Sequence, residues 1–167
     1  MSNLIEENDV TAVNLAIELE RAVIGHVLGE DGSIYITEDG WFPFWIRINK
    51  GLGLVTFKTH TYFKKAASLV QRLEICNEIN AKNFMVTACV SDNTLSLDHA
   101  LGYRDGLLRE TFVRGCRKFA STVEKGLDQA DPAGSFILPP GGTEKTDETN
   151  ETGAQDKQED NEEGGGE

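Results

Sequence analysis

The stretch DGWFPFWIRI, residues 39–48, contains both tryptophans of the chain, two of its eight phenylalanines and a proline. Side chains alternate between the two faces of a strand. One face of this segment is therefore apolar and carries Phe44, Ile46 and Ile48, while the other carries Trp45 and Arg47. The alternation predicts a sheet with one face buried by helices and one open face that presents a tryptophan beside an arginine.

Four further strands are predicted around this segment and later in the chain. SIYIT (33–37) precedes it, and LVTFKTHTYF (54–63) follows it after the turn KGLG. FMVTACV and TLSLDHAL, within residues 84–101, flank SDN, a spacing that indicates a hairpin with Asp92 and Asn93 in its turn. The sequence therefore predicts five strands, in a group of three and a group of two.

Three helices are predicted from apolar residues that recur at steps of three and four. The first spans Asp9 to Leu28 with Asp9 as its N-cap, the second Lys64 to Asn80 and the third Leu107 to Leu127. Gly115, in the third helix, costs about 1 kcal/mol relative to alanine, which indicates close packing there. The stripes expected to face the core are Val10, Val13, Ile17, Ile24 and Leu28, then Ala66, Leu69, Val70, Leu73 and Cys76, then Leu108, Phe112, Cys116, Phe119, Val123 and Leu127.

The net charge of −12 is concentrated at the carboxyl end of the chain. From Gly141 onward there are ten acidic residues and two lysines, a net charge of −8, which leaves −4 for residues 1–140. A body of this charge without a Lys/Arg stripe lacks the electrostatic footprint of a protein that binds nucleic acid. TEKTDETNETGAQDKQEDNEEGGGE contains no aliphatic residue larger than alanine, so we expect it to be disordered.

Composition divides the chain into three parts. Residues 1–8 form an N-terminal arm, residues 9–130 an α+β domain, and residues 131–167 a disordered acidic tail. The tail contains one short apolar patch at 136–140, within SFILPP. We expect this patch to dock on a protein surface, either that of its own chain or that of a dimer mate.

The sequence favours a cytoplasmic location. The start MSNLIEENDV is acidic where an export signal is basic and then apolar, and no run reaches the roughly 18 apolar residues of a membrane-spanning helix. Three cysteines, Cys76, Cys89 and Cys116, show no C-x-x-C spacing. An odd number of unpaired cysteines is typical of reduced, buried thiols in a cytoplasm.

The residue types that usually carry catalysis or metal binding are scattered. His26, His60 and His99 show no metal-ligand spacing to one another or to a cysteine. The chain has neither a G-x-S-x-G nucleophile motif nor a glycine-rich phosphate loop. We therefore expect no catalytic, metal-binding or cofactor-binding residues and no enzyme. Asn77 and Asn80, near a helix end, are interpreted as structural amides, with a ligand contact as the alternative.

Four segments resemble the YbjN family, whose members are described as bacterial sensory-transduction regulators. They are DGWFPFWIRI, LVTFKTHTYF, EICNEINAKNFMVTACVSDNTLSLDHAL and RETFVRGCRKFAS, and the most specific element is Ile75, Cys76, Asn77 and Asn80. The resemblance covers residues 30–127 and implies an α+β domain like the type III secretion chaperones, with helices on one face of a mostly antiparallel sheet. The predicted order α-β-β-β-α-β-β-α, with five strands, fits this fold. The resemblance also implies a homodimer that binds other proteins and has no catalytic activity.

Two hypotheses for the function remain open. The first is a module that binds a protein or peptide on the open sheet face or a sheet edge, because aromatic and arginine side chains dominate interface energies. Trp45 could instead cap the sheet edge or pack under a loop. The second is a small-molecule sensor or enzyme that uses Arg47, His60 and Tyr62 on a concave sheet. The partner-binding candidates are Trp41, Phe42, Trp45, Arg47, Phe57 (or Thr56, depending on register), Phe136, Ile137 and Leu138.

Overall fold

The computed structural model describes residues 2–142, so the predicted acidic tail from residue 143 onward lies outside the described residues. Within this part of the chain, the strands and helices follow one another in the order β-α-β-β-β-β-α-β-β-β-α. This order differs from the predicted one. The elements are β1 (Leu4–Ile5), α1 (Ala12–Arg21), β2 (His26–Leu28), β3 (Ile34–Ile36), β4 (Phe44–Asn49), β5 (Leu54–Tyr62), α2 (Leu69–Lys82), β6 (Thr87–Ser91), β7 (Thr94–Gly102), β8 (Leu107–Leu108) and α3 (Arg109–Ala130).

The main sheet is antiparallel and has six strands in the order β2-β3-β4-β5-β7-β6. The prediction of five strands was wrong because β2 forms from residues that the helical pattern assigned to the first helix. β1 and β8 form a separate antiparallel pair, which ties the N-terminal arm to the start of α3. The hairpin of β6 and β7 has Asp92 and Asn93 in its turn, as predicted, and Asp92 adopts a left-handed φ of 52°.

The first helix is shorter than predicted and buries a different face. The Thr11 hydroxyl accepts a hydrogen bond from the Asn14 backbone N–H at 3.2 Å, so Thr11 is the N-cap instead of Asp9. The helix ends at Arg21 because Val23 adopts a left-handed φ of 56°, after which the chain extends into β2. The buried apolar residues are Leu15, Ala16 and Leu19, whereas the exposed members of the predicted stripe are Val13, Ile17 and Leu28.

The second helix begins at Leu69 rather than at Lys64. Ser68 and Gln71 form a capping box, in which each side chain accepts a hydrogen bond from the other residue's backbone N–H. This box fixes the helix start and turns a different face toward β6 and α3. The buried residues are Ile75, Cys76 and Ile79, whereas the exposed members of the predicted stripe are Leu69, Val70 and Leu73.

The third helix lies across the buried face of the sheet. Four members of its predicted stripe are buried, namely Phe112, Cys116, Phe119 and Val123. The ring centroid of Phe119 lies 5.0 Å from that of Phe44 and 5.8 Å from that of Phe57. At Gly115 a Cβ atom would lie 2.9 Å from Cδ1 of Leu101, so the close packing predicted at this glycine is present.

Residues 131–142, which we call the strap, run back over the domain. The Asp131 carboxylate accepts three hydrogen bonds of 2.8 Å, from the backbone N–H groups of Ser135, Phe136 and Ile137. Ile137 then forms an antiparallel bridge with Phe63, and the Leu138 N–H donates to the Tyr62 carbonyl at 2.8 Å. The apolar patch therefore lies on the surface of its own chain, and the domain's contacts extend past the predicted division at residue 130.

Candidate partner-binding face

The sheet face turned away from α3 is formed by three rows of side chains, which we call the open face. Antiparallel pairing sets these rows, because residues directly opposite each other on neighbouring strands share a face. The central row is Tyr35, Trp45, Lys58 and Asp98, flanked by the row Arg47, Thr56 and Ala100 and by the row His60, Ser96 and Cys89.

Aromatic rings form a continuous line across this face. The ring centroid of Trp45 lies 4.8 Å from that of Tyr35 and 5.4 Å from that of His60, and the planes of Trp45 and His60 are 9° from parallel. His60 in turn meets Tyr62 edge-on at 5.6 Å. Because neighbouring rings hold Trp45 on both sides, little side-chain freedom is left to lose when a partner binds it.

Basic groups surround the tryptophan. Trp45, Arg47, Thr56, Lys58 and His60 line a depression of about 430 Å³ in the open face. Trp45 is half-buried, while Arg47 and Lys58 are exposed. The depression therefore combines a flat aromatic floor with two cationic side chains, which suits an apolar group carried beside a carboxylate.

The Asp31 carboxylate pairs with Arg47 but does not hold its side chain in one position. The guanidinium lies 3.4 Å from the Asp31 carboxylate, and the two side chains are 67% and 60% exposed. Hydrogen bonds from the Ser33 hydroxyl and N–H hold the pKa of Asp31 below its usual value, and the Arg47 charge contributes less. Because exposed ion pairs contribute about 0–1 kcal/mol, Arg47 can change partners at little cost.

The site residues predicted from the sequence lie in three environments, namely the open face, the core and the surroundings of the strap. Trp45 and Arg47 lie on the open face, and Trp45 belongs to an inner strand of the sheet rather than to an edge. Phe57 is 0% exposed and faces the core, because the register places Thr56 opposite Arg47. Its expected position on the open face is thereby corrected, and Thr56 takes that place.

The remaining candidates lie near the strap. Phe42, Ile137 and Leu138 line a second cavity, of about 330 Å³, together with the end of α3. Phe136 borders a depression between α2 and α3. Trp41 is half-buried, and its ring stacks on Phe44 at a centroid distance of 6.5 Å. The aromatic segment is thus divided between the open face, the core and the strap.

Several members of the open face were missed as partner-binding candidates, among them Tyr35, Lys58 and Cys89. The alternation within SIYIT already placed Tyr35 opposite the buried Ile34 and Ile36. The position of Lys58 depends on the same register that decides between Thr56 and Phe57. Cys89 is exposed, contrary to the expectation that all three thiols are buried.

The sheet edge at β6 is occupied by an asparagine side chain. The Asn80 amide oxygen accepts the Ala88 N–H at 2.7 Å, and its NH₂ group donates to the Ala88 carbonyl at 3.0 Å. These are two of the backbone groups that an added strand would pair with. The structural interpretation of Asn80 is therefore confirmed, whereas Asn77 is simply exposed.

The described residues offer little to catalysis. No group of three or more His, Cys, Asp or Glu side chains within residues 2–142 could hold a metal ion. Burial raises the pKa of the Cys76 thiol and, more strongly, that of Cys116, so both stay protonated at neutral pH. None of the helices in this range combines the length and apolarity that a membrane crossing requires.

Comparison with solved structures places this fold among two kinds of protein. One is "YbjN, a putative transcription regulator from E. coli", with a TM-score of 0.62, 19% identity and coverage of 76% of this chain and 95% of that one. The other is a chain of the HopA1–SchA chaperone–effector complex, with a TM-score of 0.50, 10% identity and coverage of 68% and 90%. At these identities the likeness establishes the fold alone.

Sequence comparison gives the family. No curated protein sequence shows a significant match to the chain. The family model YbjN, described as "Putative bacterial sensory transduction regulator", matches residues 11–131, which is most of the sequence and most of the described residues. The chain belongs to the YbjN family, with an α+β fold like that of a chaperone–effector complex chain.

Proposed function

We propose that this chain is a non-enzymatic regulatory or chaperone-like protein that binds a segment of another protein on its open face. The observation that carries the proposal is Trp45, held between Tyr35 and His60 and bordered by Arg47 and Lys58 on a face without helices. Tryptophan and arginine dominate interface hot spots, particularly where an aromatic ring is already positioned. The family's description as a regulator supports the same reading.

The face, rather than a sheet edge, is the better site for the partner. Asn80 already satisfies the outward N–H and carbonyl of Ala88 on β6. At the other edge β2 has only three residues, so an added strand would find few backbone groups to pair with. We infer that side-chain contacts at Trp45 and its basic neighbours provide most of the affinity. A partner segment with an apolar side chain next to a carboxylate fits this chemistry.

Replacing Trp45 by alanine should weaken partner binding at least about tenfold, because hot-spot truncations cost about 2 kcal/mol or more. The same change should lower the free energy of unfolding by only about 1 kcal/mol or less, as expected of a surface substitution. Partner capture from the native host, followed by a titration of the captured protein, measures the first effect. Urea unfolding measures the second.

Leu52→Ala is the matched control, because Leu52 is also a large exposed apolar residue but lies in the turn between β4 and β5. This variant should bind the partner like the unchanged protein. Equal affinities of the Trp45→Ala and unchanged proteins would contradict the proposal. A loss of several kcal/mol in stability would instead assign Trp45 to the packing of the sheet.

A small-molecule sensor is the second candidate function. The depression lined by Trp45, Arg47, Lys58 and His60 has a volume of about 430 Å³, within the range of ligand pockets. An acidic aromatic or phosphorylated metabolite would match its rings and cations. Thermal-shift screening against nucleotides, metals and acidic metabolites separates the two functions, because a protein partner site predicts no shift with any of them.

We also propose a homodimer that forms through the outer face of α2. Leu69, Val70 and Leu73 are exposed there, and Phe84, just beyond the helix end, is completely exposed. Clusters of exposed large apolar residues mark association surfaces. Light scattering should give twice the chain mass of 18.4 kDa. Leu73→Glu should give the monomer mass, while Val13→Glu on α1 should not, and a monomeric unchanged protein would contradict the proposal.

A reducing, cytoplasmic location completes the proposal. Cys76 and Cys116 are buried and Cys89 is exposed, and all three are free thiols. Disulfides form and persist in oxidising compartments, whereas free thiols are typical of reducing ones. The cysteines therefore support a location in the cytoplasm.

A further inference from the structure

Four arginines line a groove between α1 and α3, on the far side of the molecule from the open face. This arginine groove has a volume of about 350 Å³ and a partly apolar floor that includes Ala22 and Val113. Its cationic members are Arg21, Arg109, Arg114 and Arg117, and its two acidic members are Glu18 and Glu110. The groove is separate from the surface to which a partner was assigned above.

The groove carries an excess of positive charge. The buried Glu18 carboxylate is shared by two guanidinium groups, those of Arg21 and Arg109, and so neutralises only one of them. Arg114 lies 3.9 Å from Glu110 with both side chains largely exposed, which is a weak pair. Within the described residues Arg117 donates to the Ala22 carbonyl, at 3.3 Å, and pairs with no carboxylate. The four arginines thus exceed the two carboxylates by two charges.

The described part of the chain ends beside α3, the helix that carries three of the four arginines. Pro139 and Pro140 border the same cavity as Glu124 and Asp128 of α3, and the Gly142 N–H donates to the Pro139 carbonyl at 2.9 Å. Arg117 lies two turns before Glu124 on the same helix face, and Arg114 one turn further. The rise of 1.5 Å per residue puts these arginines about 10 and 15 Å from Glu124 along the axis.

The segment that follows the strap has the matching length and charge. An extended residue spans about 3.3 Å, so three to five residues beyond the strap reach the arginines. The residues at this distance are 145–147, of which Asp147 is acidic and Lys145 basic, and Glu144 and Glu148 flank them directly. Residues 143–167 together carry ten carboxylates and two lysines, a net charge of −8, against a net charge of −4 for the rest of the chain.

We propose that the acidic segment 143–167 binds in the arginine groove of its own chain. The strap raises the effective concentration of the segment at the groove, since its anchor on β5 leaves only a short connection to close. Because salt screens exposed charges, this binding weakens at high ionic strength.

Carbodiimide coupling of the full chain tests the proposal, because this reagent joins a carboxylate to an amine only when the two are in contact. Lys118, one turn beyond Arg114, reports on the groove, and Lys58 reports on the open face. Peptide mapping should find segment 143–167 joined to Lys118 about fivefold more than to Lys58, consistent with ion pairs of about 1 kcal/mol in total. The coupling to Lys118 should disappear at about 1 M salt, where the Debye length is about 3 Å.

Two variants and one mixing experiment decide the outcome. Arg114→Glu with Arg117→Glu, both at exposed positions, should reduce the Lys118 product about fivefold, while Arg47→Glu should leave it unchanged. A mixture of ¹⁴N- and ¹⁵N-labelled chains should give coupled peptides of a single label. Mixed labels would overturn binding within one chain in favour of a second copy. Preferential coupling to Lys58, or equal coupling to all exposed lysines, would overturn the groove as the site.

Discussion

Replacing Phe57 by alanine is expected to lower the free energy of unfolding by about 3–5 kcal/mol, the cost of truncating a buried phenylalanine. Phe57 is 0% exposed and lies at the centre of the aromatic core. Its ring centroid is 5.8 Å from that of Phe119, 6.2 Å from Phe44 and 6.3 Å from Phe112. Removing the ring leaves a cavity between the sheet and α3 that these rigid neighbours cannot fill. Urea unfolding followed by circular dichroism measures the loss.

Thr56→Ala is the matched control for this prediction, because Thr56 precedes Phe57 on the same strand but faces the open side. Its hydroxyl donates only to the Arg47 carbonyl, at 3.2 Å. We expect its loss to change stability by about 1 kcal/mol or less. A Phe57→Ala protein that keeps its stability and loses partner binding would contradict the placement of Phe57 in the core and return it to the binding surface.

Much of the sheet could be predicted from the sequence, because side-chain alternation is a local property of a strand. Phe44 and Ile46 are buried and Arg47 is exposed, as the alternation in FWIRI predicted. Gly115 also had a local signal, since a glycine within a long apolar stripe marks a close approach of another element. The register between β4 and β5 had no such signal, so the choice between Thr56 and Phe57 stayed open in the sequence.

The errors occurred where tertiary contacts override a local pattern. Val13 and Ile17 fit a helical stripe, yet Leu15 and Leu19 fit another stripe on the same helix, and only packing selects between them. The left-handed backbone at Val23 is unfavourable for a β-branched residue, so no local pattern predicts that the helix ends there. The hydrogen bonds of Asp131 are local in sequence, but the polar composition around SFILPP favoured the prediction of a disordered segment.

Replacing Asp131 by alanine is expected to release the strap and to cost about 2–4 kcal/mol, because hydrogen bonds to a charged acceptor are worth about 1.5–3 kcal/mol each and do not add fully. The buried Asp131 carboxylate, at the end of α3, accepts three backbone N–H groups at 2.8 Å. Without it, these N–H groups lose their acceptor and the bridge between Ile137 and Phe63 loses its anchor. Hydrogen exchange at Phe136, Ile137 and Leu138 should accelerate about 30- to 1,000-fold, the factor that corresponds to this loss of free energy.

Asp128→Ala is the control for this substitution, since Asp128 lies one turn earlier on α3 and is exposed. It should leave exchange at the strap unchanged. Release of the strap also lengthens the connection to the acidic segment, which lowers the effective concentration of that segment at the arginine groove. Asp131→Ala should therefore reduce carbodiimide coupling to Lys118, although position 131 lies far from the arginines. Unchanged protection of the three strap amides would show that side-chain packing alone, rather than the Asp131 carboxylate, holds the strap against β5.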